Sequence, residues 1–497
     1  MAEGVAAASI FKEWWGKRGW WSRGGGSGCD DGLGDFKNTH SPNLAAPASF
    51  ANNFNRGNAS KTRIFTEQKR GQMERDTAFE MAVSNIRFGQ GITREVGMDL
   101  KDRGLRRVMV LTDAKLKEQS SVQMVLAAIE AEGVEYALFD AVRVEPTDGS
   151  FKAAIEFAQA GDFDGFVAVG GGSVIDTAKA ANLYTSYPAD FLDYVNAPIG
   201  KGLPVPGPLK PLIAVPTTAG TGSETTGVAI FDLVEMHAKT GIAHRYLKPT
   251  LGIVDPDNTR SMPSQVAAST GLDVLSHALE SYTAIPFDQR PRPERPQLRP
   301  AYQGSNPISD LWSLQALKLM AAFLPRAVAD PGDDEARGQM SLAAALAGIG
   351  FGNAGVHLPH GMSYPVAGMV KSYVPDGYDM DYPLVPHGIA VIVNAPAVFR
   401  FTASACPDRH LRAAEVLGVD IAGVKEADAG KVLADRIIEL MRELEIPNGL
   451  AALGYGSEHI PGLVEGTLPQ HRVTKLSPRE AGAEDLAAIF EDALSYW

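Results

Sequence analysis

The sequence predicts a two-part α/β protein: a doubly wound unit with a largely parallel sheet, then an all-helical unit. Three observations carry this. Short apolar runs alternate with helical segments between Asp76 and Met262. Loops rich in glycine and hydroxyl groups follow two of those runs. Beyond Met262 the strand signal fades and amphipathic helices take over.

Residues 1–75 precede this pattern. They hold four of the six tryptophans, Trp14, Trp15, Trp20 and Trp21, then a Gly-Ser run and a polar stretch. No period persists, which predicts a disordered extension. Lys12, Lys17, Arg18 and Arg23 also fit a targeting segment, although Glu3 and Glu13 weaken that reading. A third reading makes Met73 the true start. From Asp76, "RRVMVLTD" is a buried strand, "VQMVLAAIEAEG" a helix closed by glycine and "YALFDAV" a strand. "FKAAIEFAQAG" is a helix, "DGFVAVGGG" a strand, "SVIDTAKAANLY" a helix and "PLIAVPTT" a strand. Strands alternating with helices build parallel sheets, so residues 76–262 form the α/β domain. "SQVAASTGLDVLSHALESY", "SDLWSLQALKLMAAFLPRAV", "ARGQMSLAAALAGIGF" and "AGKVLADRIIELMREL" place a helical domain over 263–497.

The bulk numbers exclude some function classes. A net charge of -13 argues against nucleic-acid binding, which needs a basic face. No uninterrupted apolar run is long enough to span a bilayer, so no membrane partner is expected. Cys29 and Cys406 make no disulfide framework, as in a reducing compartment.

"AVGGGSVID" places Gly170, Gly171 and Gly172 between a strand and a helix, where bare amides can approach a pyrophosphate. Ser173 would lead the helix with Asp176 three residues on, resembling a capping box. A tight strand-to-helix turn wants the same glycines. "PTTAGTGSETT" offers Thr217, Thr218, Thr221 and Ser223 after the next strand. Two such loops at strand C-terminal ends mark the edge where these sheets bind nucleotides. Asp113 is placed to accept from ribose hydroxyls and would repel a 2'-phosphate, favouring NAD over NADP.

In "GLDVLSHALE", Asp273 and His277 lie four apart and share one helix face. A satisfied pair in a core is one reading. His357, His360 and His387 in the same half supply the other: with Asp273 and His277 they offer one oxygen and three or four nitrogens, a set suited to Fe²⁺ or Zn²⁺.

Together "GGGSVIDTAK", "PTTAGTGSE", "GLDVLSHALESY", "NPISD", "HGMSYP" and "VPHG" resemble the iron-containing alcohol dehydrogenase family, from about Phe79 to the C-terminus. The resemblance implies the iron alcohol dehydrogenase (dehydroquinate synthase-like) fold: an α/β dinucleotide-binding domain, an all-α metal-binding domain, and a cleft between them. It implies a divalent metal, Fe²⁺ favoured, on Asp273, His277, His360 and His387, with His360 and His387 catalytic. It implies NAD(H) on Gly170, Gly171, Gly172, Ser173, Asp176, Thr217 and Thr218, with Lys239 near the cofactor. "FEMAVSNIRFG", "REVGMDLKDRG", "VRVEPTDGSF", "PAYQGSNPISD" and "GTLPQHRVTKLSPRE" narrow it, resembling the mitochondrial hydroxyacid-oxoacid transhydrogenase branch. That branch couples oxidation of 4-hydroxybutyrate to succinate semialdehyde with reduction of 2-oxoglutarate to D-2-hydroxyglutarate. It implies small hydroxy acid and oxo acid substrates, cofactor recycled in place, a homo-oligomer and a mitochondrial address, or a cytoplasmic one in a bacterium. The other readings are an NAD-linked alcohol dehydrogenase with exchangeable cofactor and a non-enzymatic nucleotide-binding protein. The four filled ligand positions speak against the last.

The chain departs from the family pattern at Tyr364, where many members carry histidine, which puts acid-base work there in doubt. His357 is expected to line the pocket or to be structural. Arg290, Arg292, Arg295 and Arg299 stand in a proline-stiffened loop after the metal helix. They are either solvated surface or, for at least one of them, an anchor for a substrate carboxylate.

Overall fold

The computed structural model describes residues 74–236, 238–378 and 382–497. The predicted extension, with its tryptophans and Cys29, lies outside the described residues except for Glu74 and Arg75. The first half runs β1 (Asn85–Phe88), α1 (Val96–Asp102), β2 (Arg107–Leu111), α2 (Ser120–Ala131), β3 (Glu135–Phe139) and α3 (Asp148–Ala160). It continues with β4 (Gly165–Gly170), α4 (Gly172–Ser186), β5 (Leu212–Pro216), β6 (Val228–Leu233), β7 (Ala238–Ala243) and β8 (Leu251–Val254). Six strands form one sheet in the order β1-β8-β5-β4-β2-β3, and every pairing is parallel.

Side chains alternate across the sheet. Met109, Leu111, Phe166 and Ala168 pack under α3 and α4. Val108, Val110, Val167 and Val169 pack against α1 and α2 on the other face. Both faces are covered, so these strands read as continuous apolar runs. From β2 the chain moves outward to β3, then returns to β4 and moves the other way to β5. The crevice where the winding reverses therefore lies at the C-terminal ends of β2 and β4. Asp113, Gly171 and Thr217 follow β2, β4 and β5 at that same edge.

The antiparallel pair β6–β7 is not anticipated by the sequence patterns, nor is the edge strand β1. The β6–β7 connection carries no Asn-Gly or Asp-Gly turn, the usual hairpin signal.

The second half holds α5 (Ser264–Thr283), α6 (Pro307–Ala329), α7 (Asp334–Ala354), α8 (Leu358–Gly368), α9 (His387–Ile392) and α10 (Ala395–Thr402). It ends with α11 (Pro407–Val416), α12 (Ala429–Glu443), α13 (Ile460–Thr467), α14 (His471–Thr474) and α15 (Ala483–Asp492). No strand follows β8 among the described residues. Leu272, Leu275 and Leu279 of α5 are wholly buried in the helical core. One stretch corrects the sequence reading: His387–Ala405 is long and apolar enough to meet the length and composition expected of a membrane span. It is 78% buried, as the core helix of a bundle is.

Candidate active site

Asp273 and His277 stand one turn apart on α5, with His277 Nε2 3.7 Å from Asp273 Oδ1. Two segments distant in sequence complete the group. His360 on α8 brings its Nε2 to 3.5 Å from the same oxygen, and His387 at the start of α9 brings its Nε2 to 3.8 Å. Glycines make both approaches. Gly355 ends α7 at φ 95, so the chain can turn sharply into α8. A Cβ on Gly388 would stand 2.0 Å from the Ser269 carbonyl oxygen, so only glycine lets α9 lie this close to α5.

The electrostatics fit a cation. Asp273 Oδ1 and His360 Nε2 are buried and have no hydrogen-bond partner among the described residues. Unpaired buried polar atoms are costly, and Asp273, His360 and His387 each bring a ligand atom within 4.8 Å of the others, a grouping that suits a divalent metal, whereas His277 reaches Asp273 but falls outside that grouping. Burial opposes charge on Asp273, but the surrounding imidazoles hold its carboxyl well below the usual range. Burial pushes His277 down to about 3 despite Asp273. Burial also acts against charge on His360, yet Glu280 and Asp273 outweigh it and raise His360 to about 10. A cation binding here would displace that proton.

Glu280 was not singled out from sequence. It is wholly buried on α5, seven residues beyond Asp273 on the same face. Its Oε1 lies 2.5 Å from His360 Nδ1, and its Oε2 accepts from the His357 amide at 2.6 Å. A proton held at Nδ1 leaves the Nε2 lone pair for a metal. Phe351 stacks on the His277 ring with centroids 3.9 Å apart. His357 lines neither cavity described below. It is fully buried, with Nε2 2.9 Å from Thr283 Oγ1, and its place is structural.

Two cavities meet at this group. The larger, about 1360 Å³ including space open to solvent, is lined by Asp113, Gly171, Gly172, Ser173, Thr217 and Thr218 from the sheet edge. Met262, Ser269, Thr270, Tyr378 and Pro386 face them. None of Gly170, Gly171 and Gly172 has positive φ. Gly170 and Gly172 are needed for space, since a Cβ would stand 2.4 Å from Val174 at 170 and 2.6 Å from Thr221 at 172, whereas at 171 it would only press on Thr218 at 3.3 Å. Gly170 itself ends β4 and does not line the cavity. Asp113 Oδ1 accepts from the amides of Lys115 and Leu116, so part of that carboxylate holds its own turn.

The smaller cavity, about 720 Å³, is lined by all four ligand candidates with Lys239, Tyr302, Tyr364 and Arg472. Glu145, Gly172, Ser173, Thr221, Asp273 and His387 belong to both cavities. Asp176 lies on this side and not on the nucleotide side. The predicted capping box does not form, because α4 starts at Gly172 with Gly171 as a cap that has no side chain. Asp176 instead accepts from Ser223 Oγ at 2.5 Å and the Ile230 amide at 2.9 Å, and pairs with Lys179 at 3.0 Å. Those bonds tie α4 to β6. Lys239 also faces the smaller cavity, 2.6 Å from Glu145 Oε2 and 3.1 Å from Asp232 Oδ1. It meets the larger one only through Glu145. That residue, also missed from sequence, holds φ 52 where the cavities join, and its amide donates to Ser173 Oγ at 3.2 Å.

The arginine loop lies away from both cavities, with Arg290 buried against Asp76 and Arg292 and Arg295 exposed. Arg299 grips Asp76 with two bonds of 3.0 Å, Arg290 joins it at 3.2 Å, and Arg292 pairs with Glu74 at 3.3 Å. Arg295 is exposed, and none of the four lines either cavity. Their charges fasten the start of the described chain to the helical half, so the expected carboxylate anchor is not among them.

Comparison with known proteins agrees with this geometry. The iron-containing alcohol dehydrogenase profile matches residues 84–256, and the C-terminal profile of the Fe-containing alcohol dehydrogenase family matches 301–494. The chain is 61% identical over 424 residues to the hydroxyacid-oxoacid transhydrogenase, mitochondrial, of Xenopus laevis, covering 85% of this chain and 92% of that one. It is 58% identical to the protein of the same name from Homo sapiens, covering 85% and 91%. Among solved structures it resembles an alcohol dehydrogenase from Oenococcus oeni, with TM-score 0.73, 27% identity, and 84% and 100% of the two chains covered. The sulfoacetaldehyde reductase from Bifidobacterium kashiwanohense, in complex with NAD+, matches with TM-score 0.68 and 27% identity over 84% and 100%.

Proposed function

The chain belongs to the iron-containing alcohol dehydrogenase family, and from that premise we propose that it is a mitochondrial hydroxyacid-oxoacid transhydrogenase that oxidises 4-hydroxybutyrate and reduces 2-oxoglutarate. The observation that carries the reading is the wall common to the two cavities, where Asp273 and His387 stand between the nucleotide side and the substrate side. Asp273, His277, His360 and His387 would hold one divalent metal, Fe²⁺ by family, and the residues around the larger cavity would hold NAD(H). When bound, the metal supplies Lewis acidity at the substrate oxygen, and the nicotinamide supplies a hydride acceptor and donor.

The chain's own groups do the rest. Glu280 orients His360 through Nδ1. The bare amides at Gly171 and Gly172 and the hydroxyls of Thr217 and Thr218 suit a pyrophosphate at the α4 N-terminus. Residues from both halves line the larger cavity, which opens to solvent.

The test is turnover of 4-hydroxybutyrate by extensively dialysed protein, with and without 2-oxoglutarate and with no NAD added. Coupled turnover in its presence, and protein that still carries nucleotide, are expected. Activity that appears only with stoichiometric NAD, and yields free NADH without a keto acid, would favour the ordinary dehydrogenase.

A further inference from the structure

We propose that Arg472 anchors the carboxylate that the two acid substrates share. The inference rests on the proposed function and names what the substrate side of that site recognises. Arg472, on the short helix α14, lines the smaller cavity together with the metal-ligand candidates. Its Nη2 donates to Tyr364 Oη at 2.8 Å, and its guanidinium carbon lies 5.1 Å from the Tyr302 ring centroid. Its Nη1 is buried with no partner among the described residues. Burial opposes its charge, and the phenols of Tyr364 and Tyr302 favour it.

This is unlike the other cations near the site. Lys239 is satisfied by Glu145 and Asp232, and Lys179 by Asp176. A guanidinium on a cavity wall that pairs with no carboxylate among the described residues, and keeps one nitrogen without a partner, is a binding group for a planar anion. Tyr364 follows His360 by four residues on α8, so both share a helix face. The separation is about one turn, or 5.4 Å, along the axis, comparable with the reach of a four-carbon chain. Gly361 allows α14 to sit there, because a Cβ would stand 2.8 Å from Thr474 Cγ2. Tyr364, which replaces the family histidine, thus serves to hold Arg472.

The substrate chemistry matches. In 4-hydroxybutyrate and in 2-oxoglutarate alike, three carbon–carbon bonds separate the reacting carbon from the remote carboxylate carbon. One anchor at one spacing therefore serves both half-reactions.

Two measurements on metal-loaded, nucleotide-bearing protein test this. The first compares 4-hydroxybutyrate with its uncharged isostere 4-hydroxybutyramide in the wild type, R472A and R472K. R472A should lose about ten- to hundredfold in kcat/KM for the acid, chiefly through KM, while the amide is unaffected. R472K should recover part of the loss. The second measures binding of glutarate by calorimetry, which needs no turnover. R472A should weaken it by a similar factor. Unchanged glutarate affinity, absence of glutarate binding to the wild type, or an equal fall for acid and amide at full metal content would each overturn the inference. Wild-type protein that binds glutarate through Arg472 but fails the coupled reaction would sink the proposed function alone. If R472A does not fold, R472Q is read by the same criteria.

Discussion

Glu280 decides which nitrogen of His360 is available. Its carboxylate sits at Nδ1 and also accepts from the His357 amide, so it is held as firmly as it holds. E280Q keeps the shape and removes the charge. Metal affinity should fall about 10–100-fold, as for other partners that orient ligands. The check is metal content after dialysis against a graded chelator series, and an unchanged retention curve would show that Glu280 only packs. Lys239 makes the complementary case. It is 2% exposed and neutralises Glu145 and Asp232 together. K239M leaves two part-buried carboxylates without their cation and should destabilise the fold by about 1–3 kcal/mol. Denaturant unfolding measures this, and a loss below 1 kcal/mol would mean that water reaches the pair.

At the scale of elements, the site is a set of helix approaches, and glycine sets two of those that carry its residues. G388A would place a Cβ against the carbonyl oxygen of Ser269, which is backbone and cannot rotate away. Helix α9 must back off α5 and carry His387 from Asp273, so G388A should lose most of its metal and activity. G361A meets side-chain methyls of Thr474 and Val473 and no backbone. It should keep its metal and lose less. Metal analysis of the two purified variants decides the matter: equal metal content in both would refute the argument from approach. The hairpin β6–β7 works in the same way, since its register sets Asp232 opposite Lys239, and Lys239 lines the cavity.

For the whole molecule, the metal group draws on α5, α8 and α9, and the nucleotide cavity draws on both halves. Ligand binding should therefore stabilise the fold as one unit. At a hundredfold excess over its dissociation constant, a bound metal adds about 2.7 kcal/mol. Chelation should lower the unfolding temperature and Fe²⁺ or Zn²⁺ restore it, read by calorimetry, and a melt indifferent to metal would contradict the ligand set. Much of this architecture is local in origin. The strands at Arg107–Leu111 and Gly165–Gly170, the helix bearing Asp273 and His277, and the loops at Gly171 and Thr217 announce themselves through periods of two to four residues and through turn chemistry. Those signals depend on near neighbours, so a sequence determines them by itself. Glu280, 80 residues from the imidazole it orients, carried no such sign beyond its place on the Asp273 face. Asp176 read as part of a capping box and became a tie to β6, because Gly171, which has no side chain, took the cap of α4. The arginines of one loop read either as solvated surface or as an anchor, and Arg290 and Arg299 met Asp76, while an unremarked arginine on a four-residue helix reached the cavity. Residue types and local conformation were settled along the chain. Which charge meets which partner was settled only by packing, because a side chain's partner depends on segments that approach from far away in sequence.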